Sequence, residues 1–382
     1  MMLYNRESTF FLGYIMKHYI LLSLLLVSAC GGGGGGGSSN PIPVVNPSPP
    51  PEPILMFTTS SEYVAVKSEF TLNWSVQNLS SCVMRGDHNS TVDVVGSKTI
   101  KPVAIGTLNY ELTCGNKSET IKVDVLPEYT VIPDPVFADV LHRLGVEFNF
   151  QVVSGQVLTK EILRVRNLCL TSDTSNYVTQ EPDSYNKVLY LPSFSVEYET
   201  WCVYTNGYIT DMTGIENMRN LRHVRIEKQK IASIQINTLK KLKEISLWSN
   251  PITHIDVSEN LNLEILGLSD TSITSLIMPE LPSINIIDFH NTSPTPFVMP
   301  NGTIVHGVEH LDVTKVKNLR WLYAWNNRLK TLDLTQNKTM REDWGDLVNL
   351  EKNGIELIFL SKDGTYPKFE LGGNPSVQII YQ

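Results

Sequence analysis

Two hydrophobic rhythms divide the chain. Within residues 54–127 apolar positions alternate strictly: Phe70, Leu72, Trp74 and Val76 face one way, and Thr71, Asn73 and Ser75 the other. Leu108, Tyr110, Leu112 and Cys114 repeat the pattern, as do Ile121, Val123 and Val125. Alternation with period two, cut by Gly, Asn and Ser turns, predicts half-buried strands. Several such strands without any helical period predict a β-sandwich.

Further on, the rhythm lengthens. Five segments align without gaps: "LRHVRIEKQKI" from Leu221, "LKEISLWSNPI" from Leu242, "LEILGLSDTSI" from Leu263, "INIIDFHNTSP" from Ile284 and "LRWLYAWNNRL" from Leu319. The first four begin 21 residues apart; the fifth arrives 14 residues late, behind a Pro/Gly-rich insertion at 293–307. The second halves repeat too, as "IASIQI", "ITHIDV", "ITSLIM" and "LKTLDL". No single unit can bury its apolar ridge alone, so the repeats predict a stacked solenoid. A 21-residue unit has little room for a helix, which predicts a convex side of extended or 3₁₀ segments. Ahead of the repeats, Val136, Phe137, Val140, Leu141 and Leu144 recur at helical spacing behind Pro133 and Pro135, predicting a helix. The repeat phase holds to Met340 and fails at Asp343, and "REDWGDLVNLEKNG" predicts a helical C-terminal cap over 341–382.

The repeat pattern L-x-x-L-x-L-x-x-N resembles the leucine-rich repeat family. Its asparagine stands at Asn250 and Asn327 and is replaced by Gln229, Thr271 and Thr292. The helix and "ITDMTGIENMRNL" from Ile209 are similar to the capping helix and first repeat of internalin-like surface proteins. The segments "LNWSVQNLSSC" and "YELTC" resemble the immunoglobulin-like domains of bacterial surface proteins, although Trp74 precedes both cysteines of that block. Together these imply a mainly β chain: an immunoglobulin-like sandwich at 54–127, a cap region at 128–208, leucine-rich repeats at 209–340 and a terminal cap at 341–382.

The N-terminal region has its own logic. "MKHYILLSLLLV", from Met16, has a short basic start and an apolar run about half the ~20 residues a spanning helix needs, the layout of a secretory signal. Glu7 suits no part of such a signal, so Met16 is the expected start. Val27-Ser28-Ala29-Cys30 resembles the lipobox of bacterial lipoproteins, which implies cleavage after residue 29 and lipidation of Cys30. Seven glycines and a proline-rich stretch then form a tether over 30–53, mobile first and stiffer beyond. The other four cysteines fall into two local pairs, Cys82 with Cys114 and Cys169 with Cys202, each within one composition block. An oxidising compartment favours both disulfides and leaves Cys30 unpaired.

Charge narrows the partners. The net charge of −8 argues against a general nucleic-acid role. In a leucine-rich repeat the residues between the leucines face the concave side. Three exposed columns follow: His223, Glu244, Ile265, Ile286, Trp321; then Arg225, Ser246, Gly267, Asp288, Tyr323; then Glu227, Trp248, Ser269, His290, Trp325. Aromatics bury large area at low entropic cost, so Trp248, His290, Trp321, Tyr323 and Trp325, with Arg225 and Asp288, are the candidate ligand-binding residues. A protein ligand fits the resemblance, and a glycan is the alternative; the oligomeric state is open.

Catalytic motifs are sparse. "HGVEH" at 306–310 fits the H-x-x-E-H of some metallopeptidases, but Gly302 and Gly307 oppose the helix that would place both histidines on one face. Arg85-Gly86-Asp87 matches an integrin-binding tripeptide and also ordinary turn chemistry. The expectation is a lipid-anchored envelope protein, placed by family rule at the outer membrane, without cofactor or enzymatic activity, that binds another macromolecule through its repeats.

Overall fold

The computed structural model describes residues 51–86, 89–146, 155–172, 202–273, 275–290, 297–298, 304–305, 307–340, 346–374 and 376–382. Among these, Ile54–Thr59 (β1), Tyr63–Ala65 (β2), Phe70–Gln77 (β3), Cys82–Arg85 (β4), Ser90–Val92 (β5), Val95–Ile100 (β6), Gly106–Cys114 (β7) and Lys117–Leu126 (β8) build two facing sheets. One has the order β1-β3-β6 and the other β2-β8-β7-β4-β5. Phe70, Leu72 and Trp74 of the first meet Met84, Tyr110, Leu112 and Val123 of the second in one core. Cys82 and Cys114 are Cα partners on adjacent strands of the larger sheet, so their disulfide lies within that sheet and faces the core. Trp74 sits across from it and packs on Gly96, where an added Cβ would come within 2.4 Å of the indole.

A short hairpin of Tyr129–Val131 (β9) with Gln156–Leu158 (β10), and the helices Pro135–Arg143 (α1) and Thr159–Ile162 (α2), lead into the second body. Asp134 caps α1, its Oδ1 accepting from the amides of Val136 (2.9 Å) and Phe137 (3.0 Å). Its Oδ2 accepts from Thr210 and Asp211, so one buried carboxylate ties the helix to the chain 76 residues on. The two bodies meet where Tyr63, Leu126 and Leu163 pack together and Lys241 pairs with Glu62 at 2.8 Å.

The second body is a parallel solenoid. Asn167–Thr171 (β11), Val203–Tyr204 (β12), His223–Glu227 (β13), Glu244–Ser246 (β14) and Ile265–Gly267 (β15) start its main sheet. Ser275–Ile277 (β16) lies opposite, and Ile286–Asp288 (β17) resumes the main sheet. The insertion holds the antiparallel pair Phe297–Val298 (β18) and Ile304–Val305 (β19). His310–Asp312 (β20), Trp321–Tyr323 (β21), Thr331–Asp333 (β22), Leu347–Asn349 (β23), Leu357–Leu360 (β24), Lys368–Glu370 (β25) and Gln378–Tyr381 (β26) complete the chain. The main sheet has nine strands, in the order β12-β11-β13-β14-β15-β17-β21-β23-β25. Leu221, Val224 and Ile226 and their equivalents as far as β21 are buried in one continuous core, which Val348 and Leu350 extend and the partly buried Phe369 and Leu371 flank. The far side carries short parallel pairs, β16-β20 and β22-β24-β26, with a 3₁₀ turn at Ile215–Asn217, as the short repeat requires.

Two expectations need correction. The region 341–382 is not helical where it is described: Val348, Leu350 and Asn353, then Phe369, Leu371 and Asn374, continue the repeat as β23 and β25. The first of these units follows its predecessor by 26 residues, and Gly345 stands where the leading leucine belongs, which hides the phase. The cap region 128–208 also contains a repeat, because β11 pairs with β13 and buries Leu168 and Leu170 in the shared core. The proposed signal, Cys30 and most of the tether lie outside the described residues.

Candidate ligand-binding face

The strand register builds the face. Pairing of β13, β14, β15, β17 and β21 sets His223, Glu244, Ile265, Ile286 and Trp321 side by side, and likewise Arg225, Ser246, Gly267, Asp288 and Tyr323. Leu347 and Lys368 extend the first column, Asn349 and Glu370 the second. A third column lies two residues beyond the second: Glu227, Trp248, Ser269, His290, Trp325 and Glu351. The residue after it turns the chain with a left-handed backbone, at Lys228 (φ 53°), Ser249 (57°), Asp270 (52°), Asn326 (56°) and Lys352 (52°). None of these five is glycine, although Gly373 (φ 76°) takes the same place in the last unit, so only the final rung of this ladder left a mark in the sequence. It is held by bonds between units, such as Lys228 N–H to Trp248 O at 2.8 Å and Lys352 N–H to Gly372 O at 2.7 Å.

Beneath the turn runs the asparagine ladder. The Asn250 amide donates to the carbonyls of Ile226 (2.7 Å), Leu247 (3.0 Å) and Trp248 (3.2 Å) and accepts from Ile231 N–H. Asn327, Asn353 and Asn374 do the same work in later units. Thr271 supplies only its hydroxyl, to Leu268 O at 2.7 Å. Gly307, at φ 87°, approaches Asn327 so closely that a Cβ would sit 2.7 Å from its Oδ1. Two further buried asparagines, Asn260 and Asn337, each donate to two carbonyls 24 and 21 residues earlier, which the sequence pattern did not single out.

The aromatic residues are half-buried, each against its own partner. Trp325 stacks on His290 with ring centroids 4.7 Å apart, and Lys352 Nζ lies 6.0 Å from the indole centroid. Trp248 donates its Nε1–H to Asp270 at 3.0 Å and has Lys228 over its ring. Arg320 covers Trp321 while pairing with the buried carboxylate of Asp346 at 2.8 Å. Asp288 accepts from Ser269 (2.8 Å) and lies 2.5 Å from His290 Nδ1. Burial, then the carboxylates of Asp288 and Glu370, push the Tyr323 phenol up to about 12. Two column members are hidden from solvent: Glu244 lies beneath its pair with Arg225 (2.6 Å), and Ser269 lies beneath its neighbours. Burial raises the Glu227 carboxyl and lowers the His223 imidazole.

The remaining candidates separate. The Cys169–Cys202 bond closes the N-terminal edge of the main sheet, with Cys169 beside Arg225 in the second column. Arg85 pairs with Glu111, and Gly86 packs so tightly on Tyr110 that a Cβ would lie 2.6 Å away; Asp87 lies outside the described residues. Of "HGVEH", His306 is likewise outside, Glu309 pairs with Arg328 at 2.7 Å, and His310 opens β20. Among the described residues no group of three His, Cys, Asp or Glu is arranged to hold a metal, and no helix is long and apolar enough to cross a membrane.

No family model matches the chain, and no curated relative matches it. Among solved structures it is similar to the functional domain of InlJ from Listeria monocytogenes, which includes a cysteine ladder. That likeness has 15% identity and a TM-score of 0.31, over 64% of this chain and 62% of the other. The chain thus spans less than two thirds of that structure's length.

Proposed function

We propose that this protein is a lipid-anchored envelope protein whose leucine-rich-repeat-like solenoid binds a protein partner on the face of its nine-stranded sheet. The observation that carries the reading is the concentration of half-exposed aromatics there: Trp248, His290, Trp321, Tyr323 and Trp325 stand within four neighbouring units. Rings held by stacking and hydrogen bonds bury area on a ligand with little loss of side-chain freedom. In this reading the immunoglobulin-like sandwich is a spacer or second binding module, Cys30 carries the lipid, and the protein performs no catalysis.

Site-specific photocrosslinking in living cells tests the binding face. A crosslinker at Asn349, beside Tyr323 on the sheet, should capture a discrete protein that a crosslinker at Asp333, on the opposite side, does not. Capture from both positions alike, or of glycan alone, would sink the protein-binding reading. Incorporation of a palmitate analogue, lost on Cys30→Ser, tests the anchor, and protease shaving of intact cells decides which way the repeats face.

A further inference from the structure

Three strands of the sandwich lie against five, and the smaller sheet ends at β6. At that edge, between β6 and β7, is a cavity of about 330 Å³. Ile100, Pro102, Leu108 and Tyr110 supply apolar walls, and Lys98 and Lys101 also line it. Lys67, Arg85 and Lys122 of the sandwich each have a carboxylate partner, whereas among the described residues neither Lys98 nor Lys101 has one. Lys98 stands at an inward position, because β6 turns Gly96, Lys98 and Ile100 inward and Val95, Ser97 and Thr99 to solvent.

The backbone of this edge is open as well. Among the described strands β6 pairs with β3 alone. The Val76 amide donates to Val94 O at 2.8 Å, which sets the phase of the antiparallel ladder. Gly96, Lys98 and Ile100 therefore exchange bonds with β3, and Ser97 and Thr99 turn their N–H and C=O groups outward.

We infer that the β6 edge takes up an extended segment of a protein partner as a fourth strand, with a carboxylate side chain at Lys98 and an apolar one two residues along, opposite Ile100. This makes the sandwich a second binding module and does not depend on the solenoid face. Main-chain bonds at such an edge supply affinity, and pockets for alternate side chains supply specificity. An inward lysine deters indiscriminate pairing, since an apolar or basic newcomer leaves it buried and unmatched. A carboxylate satisfies it with a charge-assisted bond. The chain's own 41–53 stretch is unsuited, because seven of its thirteen residues are proline and cannot donate to a ladder.

A random ten-residue peptide library, selected on the whole chain and counter-selected on its Lys98→Glu variant, tests the inference. Surviving peptides should carry an acidic residue two positions from a large apolar one, without proline between them. A synthetic survivor should slow amide hydrogen exchange at Ser97 and Thr99 while β21 and β23 exchange as before. Replacing its acid by lysine should weaken binding at least about tenfold and restore binding to Lys98→Glu. Ser97→Pro removes an outward N–H at an edge where proline is tolerated, and should abolish binding with thermal unfolding nearly unchanged. An empty selection, survivors without an acid, binding unaffected by Ser97→Pro, or protection at β21 and β23 instead of β6 would overturn the edge site. Crosslinking from Asn349 is untouched by any of these results, so the two readings fail separately.

Discussion

The imidazole of His290 lies 8° from parallel to the indole of Trp325, their centroids 4.7 Å apart, although an insertion separates them in the chain. Aromatic pairs of this kind contribute about 0.5–1.5 kcal/mol beyond area burial. His290→Ala and Trp325→Ala should therefore couple by about that amount in a urea double-mutant cycle. Strict additivity would mean that the rings merely share a neighbourhood.

That pairing also shows what the sequence can and cannot disclose. Column membership follows from period-two geometry, so the spacing of the apolar residues alone places His290 and Trp325 in one neighbourhood. The insertion between them changes the spacing from 21 to 35 without changing the register Ile286 to Trp321. Side-chain partners were not legible: Lys228 over Trp248 and Arg320 over Trp321 depend on rotamers, and Glu244 was expected in solvent but lies under Arg225. Two classes of repeat escaped. The unit around Leu168 lies 56 residues before its partner Val224, and the unit around Val348 lacks its leading leucine. Periodicity detects equal spacing, whereas stacking requires only that each strand find an edge to pair with.

Asn250 and Thr271 occupy equivalent places with unequal bonding, four contacts against one. Asn250→Ala leaves several buried backbone groups without partners and should cost roughly 2–4 kcal/mol, each such group costing about 1–3. Thr271→Ala forfeits a single bond and should cost about 1 kcal/mol. Chemical denaturation of both variants checks the order; equal losses would remove the asparagine ladder from the account of stability.

Asp134 is set low despite its burial, because amides of Thr210, Phe137 and Asp211 and the Thr210 hydroxyl all donate to it. A carboxyl depressed in the folded state stabilises fully above its unfolded value, near 3.8, and loses that contribution as pH falls through the lower folded value. Asp134→Ala should lower stability at neutral pH by about 3 kcal/mol, combining a lost helix cap with charge-assisted bonds. The deficit should shrink as pH drops below about 4. Thermal unfolding across that range decides it, and a deficit independent of pH would show that the side chain acts through packing alone.

Tyr323 should titrate well above an ordinary tyrosine, because burial and then the charges of Asp288 and Glu370 hold its phenol up to about 12. The sign follows from the protonated form being favoured in the folded state: the contribution is complete below the unfolded value of 10.0 and is lost as pH rises through the folded one. Phenolate absorbance after a rapid pH jump, taken as wild type minus Tyr323→Phe, isolates this residue before the chain can unfold. Asp288→Asn should move the midpoint down by removing one of the two charges, while burial keeps it above 10.0. A midpoint unmoved by Asp288→Asn would mean that the carboxylate does not act on the ring.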